Sequence, residues 1–194
     1  MVIESIGLLN IVLRNSPVSM DHFHYCPVCG SPGFEPSSFK SRRCSCCGFE
    51  FFQNPAASVA VFIRDGEGRL LMAVRGCEPQ KGTLDLPGGF ADMGESAEEA
   101  VRREILEETA LHVDALRYLF SIPNVYEYSG MKIPTLDMFF ECSVSDLSPL
   151  RPADDVEALV WMHPDDIDAD SIGLDSIRRA FLKQFRTSSD NGCS

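Results

Sequence analysis

The chain has 194 residues, 44% of them hydrophobic, and a formal net charge of −12. That length accommodates one ordinary domain and a small appendage, and the hydrophobic fraction is that of a soluble globular protein. The acidic balance argues against general nucleic-acid binding, which rests on cationic contacts, so nucleic acid is not an expected partner.

Residues 1–19 read as an N-terminal extension without assigned structure. Ile6 to Leu13 is an apolar run interrupted by Asn10, too short to span a bilayer. Glu4 stands where a signal peptide carries positive charge, and no small-residue cleavage site follows. A cytoplasmic location and no membrane partner are expected, with Met20 as the physiological start. The alternative is a short helix or strand packing on the domain or on a second subunit.

Cys26-Pro27-Val28-Cys29-Gly30 and Cys44-Ser45-Cys46-Cys47-Gly48 then form two C-x2-C pairs separated by fourteen residues. That spacing suits a tetrahedral four-cysteine zinc site. The glycines after each pair suit knuckle turns that aim backbone amides at the sulfurs. Cys26, Cys29, Cys44 and Cys47 are the expected ligands. Cys46 is an extra thiol, and His22 and His24 read as surface residues. Cys77, Cys142 and Cys193 have no partner pattern. Disulfides compete with zinc, but an acidic chain without a secretory signal favours the metal. A ribbon over residues 20–54 is too small to bury much apolar surface, so zinc would supply its folding energy. Lys40, Arg42 and Arg43 make a small basic cluster there, which could contact phosphates or be ordinary surface.

Past the ribbon, Ser58–Arg64 and Arg69–Arg75 read as strands joined by the turn Asp65-Gly66-Glu67-Gly68. Gly82 to Leu86 leads into Pro87-Gly88-Gly89, where glycine permits a sharp turn and close approach to a ligand. Ser96 with Glu99 is a capping-box signature, which starts a helix at Ala97. On that helix Glu104, Glu107 and Glu108 fall within roughly a third of the circumference. Carboxylates packed so closely resist ionisation beside one another, and a hard divalent cation resolves the conflict. Residues 89–111 hold seven acids and two arginines, so an anionic substrate needs metal to enter. A solvated acidic face is the alternative for the three acids taken alone.

The segment resembles the signature of the Nudix hydrolases, G-x5-E-x7-R-E-U-x-E-E-x-G-U with U a bulky apolar residue. Gly89, Glu95, Arg103, Glu104, Ile105, Glu107, Glu108 and Leu111 fill it; Ala110 stands where the pattern has glycine. The resemblance implies an α+β Nudix fold, a mixed sheet in an α/β/α sandwich over residues 55–186, preceded by the zinc ribbon. It implies catalytic Mg²⁺ or Mn²⁺ held by Glu104, Glu107, Glu108 and the Gly89 carbonyl. Arg103 and Glu95 would support those acids, and Gly88 and Gly89 would line the nucleotide. Glu104, Glu107, Glu127 or Glu141 could serve as general base. The alanine at 110 would change the helix exit slightly, since glycine there takes φ > 0.

Downstream, Val113–Ser121 and Ile133–Val144 read as a hairpin around Tyr128-Ser129-Gly130. Val156–Met162 reads as a strand, Asp175–Phe185 as an amphipathic helix, and 187–194 as a polar, disordered tail. A zinc ribbon ahead of this domain resembles the NADH pyrophosphatases of the family. Their downstream S-Q-P-W-P-F-P-x-S stretch is matched here only at Ser121, Pro123 and Ser129. The expected reaction is therefore metal-dependent cleavage of a pyrophosphate linking a nucleoside to another group, as in ADP-ribose or NADH. Phe120 to Thr135 is the place for base recognition, where Tyr126 and Tyr128 stack on a ring or pack in the hairpin. The other class is a nucleotide-sensing regulator using its ribbon to contact nucleic acid or protein. A homodimer is expected by analogy with the family.

Overall fold

In the computed structural model, which describes Met20, residues 22–128 and residues 130–186, the burial of one strand organises the domain. In β4 (Ala56–Ile63), Val59 to Ile63 are all buried, as a strand covered on both faces requires. Alternate side chains enter opposite layers. Ala60 and Phe62 join Leu70, Met72, Phe139, Ile177, Ala180 and Phe181. Val59, Val61 and Ile63 join Leu71, Ala100, Val101, Ile105 and Phe140. The first layer lies under the C-terminal helix and the second under the acidic helix, which gives the expected α/β/α sandwich.

Three strands precede β4: β1 (Phe34–Ser38), β2 (Ser41–Cys44) and β3 (Glu50–Phe52), an antiparallel sheet in the order β1-β2-β3. After β4 come β5 (Leu70–Arg75), β6 (Leu84–Asp85), helix α1 (Ala97–Thr109), β7 (Ala115–Tyr128), β8 (Met131–Ser143), β9 (Val156–Met162) and helix α2 (Asp175–Phe185). One sheet runs β4-β8-β7 and the other β6-β5-β9. β4 and β8 are parallel, with Ser58 opposite Asp137 and Phe62 opposite Glu141. β5 is antiparallel to both β6 and β9.

The strands β4 and β5 flank the Asp65–Gly68 turn as expected; beyond the isolated bridge Arg64↔Leu70 they enter different sheets. The hairpin of β7 and β8 is longer than its apolar pattern indicated, reaching Tyr128 and resuming at Met131. Two short 3₁₀ turns, Pro164–Asp166 and Ala169–Ser171, lead into α2.

Contacts gather the described residues into two compact units. One takes in the ribbon to Pro55 and the hairpin tip Val125–Pro134; the other takes in Ala56–Asn124 and the residues from Thr135. The ribbon has a core of its own, with Cys26, Phe34 and Cys44 buried among Phe23, Phe49 and Phe51. Among the described residues no helix is long and apolar enough to cross a membrane. The readings of residues 1–19, Ser129, Cys193 and the tail 187–194 lie outside the described residues.

Candidate functional site

Helix α1 carries the acids, and its start is set locally. Ser96 accepts from the Glu99 amide while the Glu99 carboxylate accepts from the Ser96 amide, so the expected capping box is complete. Ala100, Val101 and Ile105 are fully buried, which anchors one side of the helix; Val101 and Ile105 each contribute about 1.5–3 kcal/mol. Glu104 and Glu108 are thereby turned to the glycine turn between β6 and α1, while Glu107 lies half-exposed beside Arg103.

That turn is held against β4. The Val61 amide donates to Pro87 O at 2.9 Å and the Val59 amide to Gly89 O at 2.8 Å; the Ala91 amide donates to Ala57 O at 3.0 Å. Gly88, at φ 145°, lies where a Cβ would come within 2.2 Å of Val59 O, and a Cβ on Gly89 would meet Glu104 Oε1 at 2.5 Å. The neighbouring backbone thus requires glycine at 88, whereas a side chain at 89 would displace the Glu104 carboxylate. The Gly89 carbonyl, expected as a metal ligand, already accepts from Val59 and has its second lone pair left.

Arg103 organises the acids. Its Nε and Nη2 donate to the two oxygens of Glu95 at 2.7 and 3.0 Å. Nη1 reaches Glu104 at 2.9 Å and Glu107 at 3.0 Å, and Nη2 also reaches Phe90 O at 2.9 Å. All five guanidinium donors are engaged, which raises its pKa further, the Glu95 bond foremost. The same bond lowers the Glu95 carboxyl. Glu108 instead receives the Gly88 amide at 2.9 Å. Burial pushes its pKa up to about 8 against that bond, aided by the charges of Glu104, Asp85 and Asp154. Burial also raises Glu104, opposed by Arg103.

The structure brings Glu95, Arg103, Glu104 and Glu107 together around one cation and Glu108 onto the turn. It does not draw the three glutamates into one shell. Among the described residues, only the four cysteines bring three or more ligand atoms within 4.8 Å of one another. Glu127 pairs with Lys132, and Glu141 with Arg117 at 2.6 Å and Arg64 at 3.7 Å. Asp85, buried and paired with Arg75 at 2.5 Å, and Asp154 were missed. The position of Asp85, directly before Leu86-Pro87-Gly88-Gly89, was the one available signal; Asp154 had none.

The helix exit corrects a further expectation. Ala110 takes the left-handed conformation itself, φ 60° and ψ 15°, so the chain leaves α1 as a glycine would. The loop after β8 holds it there: the Arg151 amide donates to Thr109 O and the Ala153 amide to Glu108 O, both at 3.1 Å. These bonds satisfy two of the orphaned last carbonyls.

In the ribbon, Cys26 and Cys47 have their sulfurs 3.6 Å apart, as do Cys29 and Cys44. Zinc–sulfur bonds of about 2.3 Å give a tetrahedral edge of about 3.8 Å, so four thiolates here fit that ion. The turns are the expected knuckles, with Gly30 and Gly48 at φ 71° and 76°. The Cys47 amide, aimed at the Cys44 sulfur from 3.5 Å, leads in lowering that thiol to about 6. Cys46, His22 and His24 stand outside the set. Of the basic cluster, Arg42 is turned inward, donating to Phe34 O at 2.9 Å and Met20 O at 3.0 Å.

Comparison with known proteins agrees with this geometry. The chain is 31% identical over 119 residues to the NAD-capped RNA hydrolase NudC of Haemophilus influenzae (strain PittGG), covering 59% of this chain and 45% of that protein. It is 28% identical over 163 residues to NudC of Deinococcus radiodurans, covering 83% and 56%. The chain therefore spans about half the length of the curated relatives it matches. A NUDIX hydrolase from Nitrosomonas europaea superposes with a TM-score of 0.64 at 22% identity, over 87% of this chain and 93% of that one, a likeness of fold. The model of the NUDIX domain matches residues 54–185, more than half of the chain, so the chain belongs to the NUDIX family.

Proposed function

We propose that the chain is a metal-dependent pyrophosphohydrolase that cleaves a nucleoside diphosphate linked to another moiety, with NAD(H) and ADP-ribose as leading substrates. The observation that carries the reading is the pair of buried carboxylates, Glu104 and Glu108, set against the glycine turn with repelling charges around them. Hard oxygen donors in that number suit Mg²⁺ or Mn²⁺. Glu104, Glu107, Glu108 and the free lone pair of Gly89 O would hold the ion, which would draw the carboxylates closer together than they lie here. The chemistry it supplies there is neutralisation of phosphate oxygens and a lowered pKa for coordinated water.

The chain's own groups do the rest. Arg103 fixes the rotamers of Glu104 and Glu107 and keeps its charge beside them. Glu95 holds Arg103 from the other side. Glu107 is the candidate proton acceptor, because it is half-exposed and, among the described residues, nothing donates to its Oε1. Glu141, engaged by two arginines, is assigned a structural role. Cys26, Cys29, Cys44 and Cys47 would hold a structural zinc whose closed shell leaves no position for substrate. The relatives are named for hydrolysis of NAD-capped RNA, which supports trying NAD-type dinucleotides, free or on an RNA end, first.

The test incubates purified protein with NADH, NAD⁺, ADP-ribose, diadenosine polyphosphates, NTPs and an NAD-capped oligoribonucleotide, with Mg²⁺ or Mn²⁺, and resolves products by chromatography. Metal-dependent cleavage lost in the Glu107→Gln, Glu108→Gln variant supports the reading. Saturable nucleotide binding without turnover replaces it with a nucleotide sensor.

A further inference from the structure

On the far side of the glycine turn lies a polar cluster that the acid helix does not use. Asp137 of β8 is 7% exposed, and both of its oxygens are engaged. Oδ1 accepts from Ser58 Oγ at 2.5 Å and Thr135 Oγ1 at 2.6 Å; Oδ2 accepts from Asn124 Nδ2 at 3.0 Å. Asn124 Nδ2 also donates to Ser176 Oγ at 3.1 Å, in the first turn of α2. Four elements, β4, β7, β8 and α2, meet there.

A carboxylate only accepts, so the NH₂ end of Asn124 must be the end facing Asp137. With both of its hydrogens engaged, the amide plane is fixed. Oδ1 then stands as an oriented acceptor, and among the described residues nothing donates to it. Asn124 is half-buried on β7, on the same face as the core residue Ile122. The cluster is also joined to the acid site. Ser58 bridges Phe90 across the turn, and the Phe90 carbonyl receives Arg103.

A half-buried acceptor held by two bonds is a selective device. It rewards a ligand that brings a donor and opposes one that brings another acceptor. We propose that Asn124 is a specificity-determining residue whose Oδ1 accepts a hydrogen bond from an NH₂ donor, amine or amide, borne by an aromatic ring of the substrate. Two sources share that chemistry, the 6-amino group of adenine and the carboxamide of a pyridine ring. The proposal rests on the pyrophosphohydrolase reading and makes Asp137 and Ser176 positioning residues.

The experiment compares kcat/KM within two pairs that differ only in that group. One pair is ADP-ribose and its hypoxanthine analogue; the other is NAD⁺ and its deamidated analogue, nicotinic acid adenine dinucleotide. Wild type is expected to favour the NH₂-bearing member of one pair by about tenfold. Asn124→Ala should bring that ratio to within about twofold of one, and Ser176→Ala to an intermediate value, each variant checked for an intact thermal transition. The pair that discriminates names the source. Equal rates within both pairs overturn the proposal, and so does a parallel fall of both members in Asn124→Ala with the ratio unchanged, the mark of a packing role. If wild type turns over none of the four, the hydrolase reading fails, and the same ratios measured as Kd decide on Asn124 separately.

Discussion

Replacing Ala110 by glycine should stabilise the protein and leave its chemistry alone. Ala110 sits at φ 60° with its amide on Leu106 O at 3.0 Å. A left-handed conformation costs an alanine about 1–2 kcal/mol, which glycine does not incur. Glycine adds unfolded-state entropy that removes about 0.4–1 kcal/mol of that gain. The net is a stabilisation of about 0.5–1 kcal/mol, or about 1–4 °C in Tm for a chain of this size. Ala110→Val should move the other way by more than 1 kcal/mol, because a β-branched side chain tolerates the left-handed region poorly. The assay is urea unfolding followed by circular dichroism, with equal m-values required of all three proteins. A lower midpoint for glycine than for alanine would show that the loop amides at 151 and 153 do not hold the exit left-handed, and would refute the reasoning.

Four further outcomes follow from the site. Burial holds Glu108 at about 8, above its ordinary 4.5; its protonated form is favoured on folding. Metal-free stability from this group is then full below about pH 4.5 and lost as pH rises to about 8, measurable as Tm across that window, and Mg²⁺ should restore most at the alkaline end. Arg103→Lys removes a five-donor fork that an ammonium cannot reproduce and should lower kcat/KM at least tenfold while lowering Tm, whereas unchanged kinetics would detach Arg103 from the acids. Glu141→Gln should alter turnover by less than about twofold and Glu108→Gln by about a hundredfold or more, a contrast that reverses if Glu141 is the base. Cys46→Ser should retain one zinc per chain by elemental analysis and Cys44→Ser should lose it, since only Cys44 belongs to the clustered sulfurs.

What could be read from the chain was local. Ser96 and Glu99 are three residues apart and cap the helix by themselves, so its first residue was legible at Ala97. Val156–Met162 and Asp175–Phe185 were likewise bounded by their own apolar patterns, and the cysteine spacing identified the clustered sulfurs. What escaped was long-range. Nothing near Ser58 indicates that it will face Asp137, 79 residues on, or that Asn124 will meet Ser176 across 52. Nor does the signature say that Ala110 will bend as a glycine, because the loop that enforces it is some forty residues away in sequence. The strands on either side of Asp65–Gly68 were found, but their partners were chosen by core packing, which no turn residue encodes.

A stretch such as Leu86-Pro87-Gly88-Gly89-Phe90 is usually taken for a hinge. Here its backbone is stitched to β4 at alternate positions, from Pro87 to Ala91, and Gly88 fits only because it lacks a Cβ. The segment thus behaves as an added strand, and the Val59, Val61 and Ala91 amides that hold it should exchange with solvent as slowly as others in the sheet. Any closing movement during turnover has to be made by other parts of the molecule, around a floor that stays still.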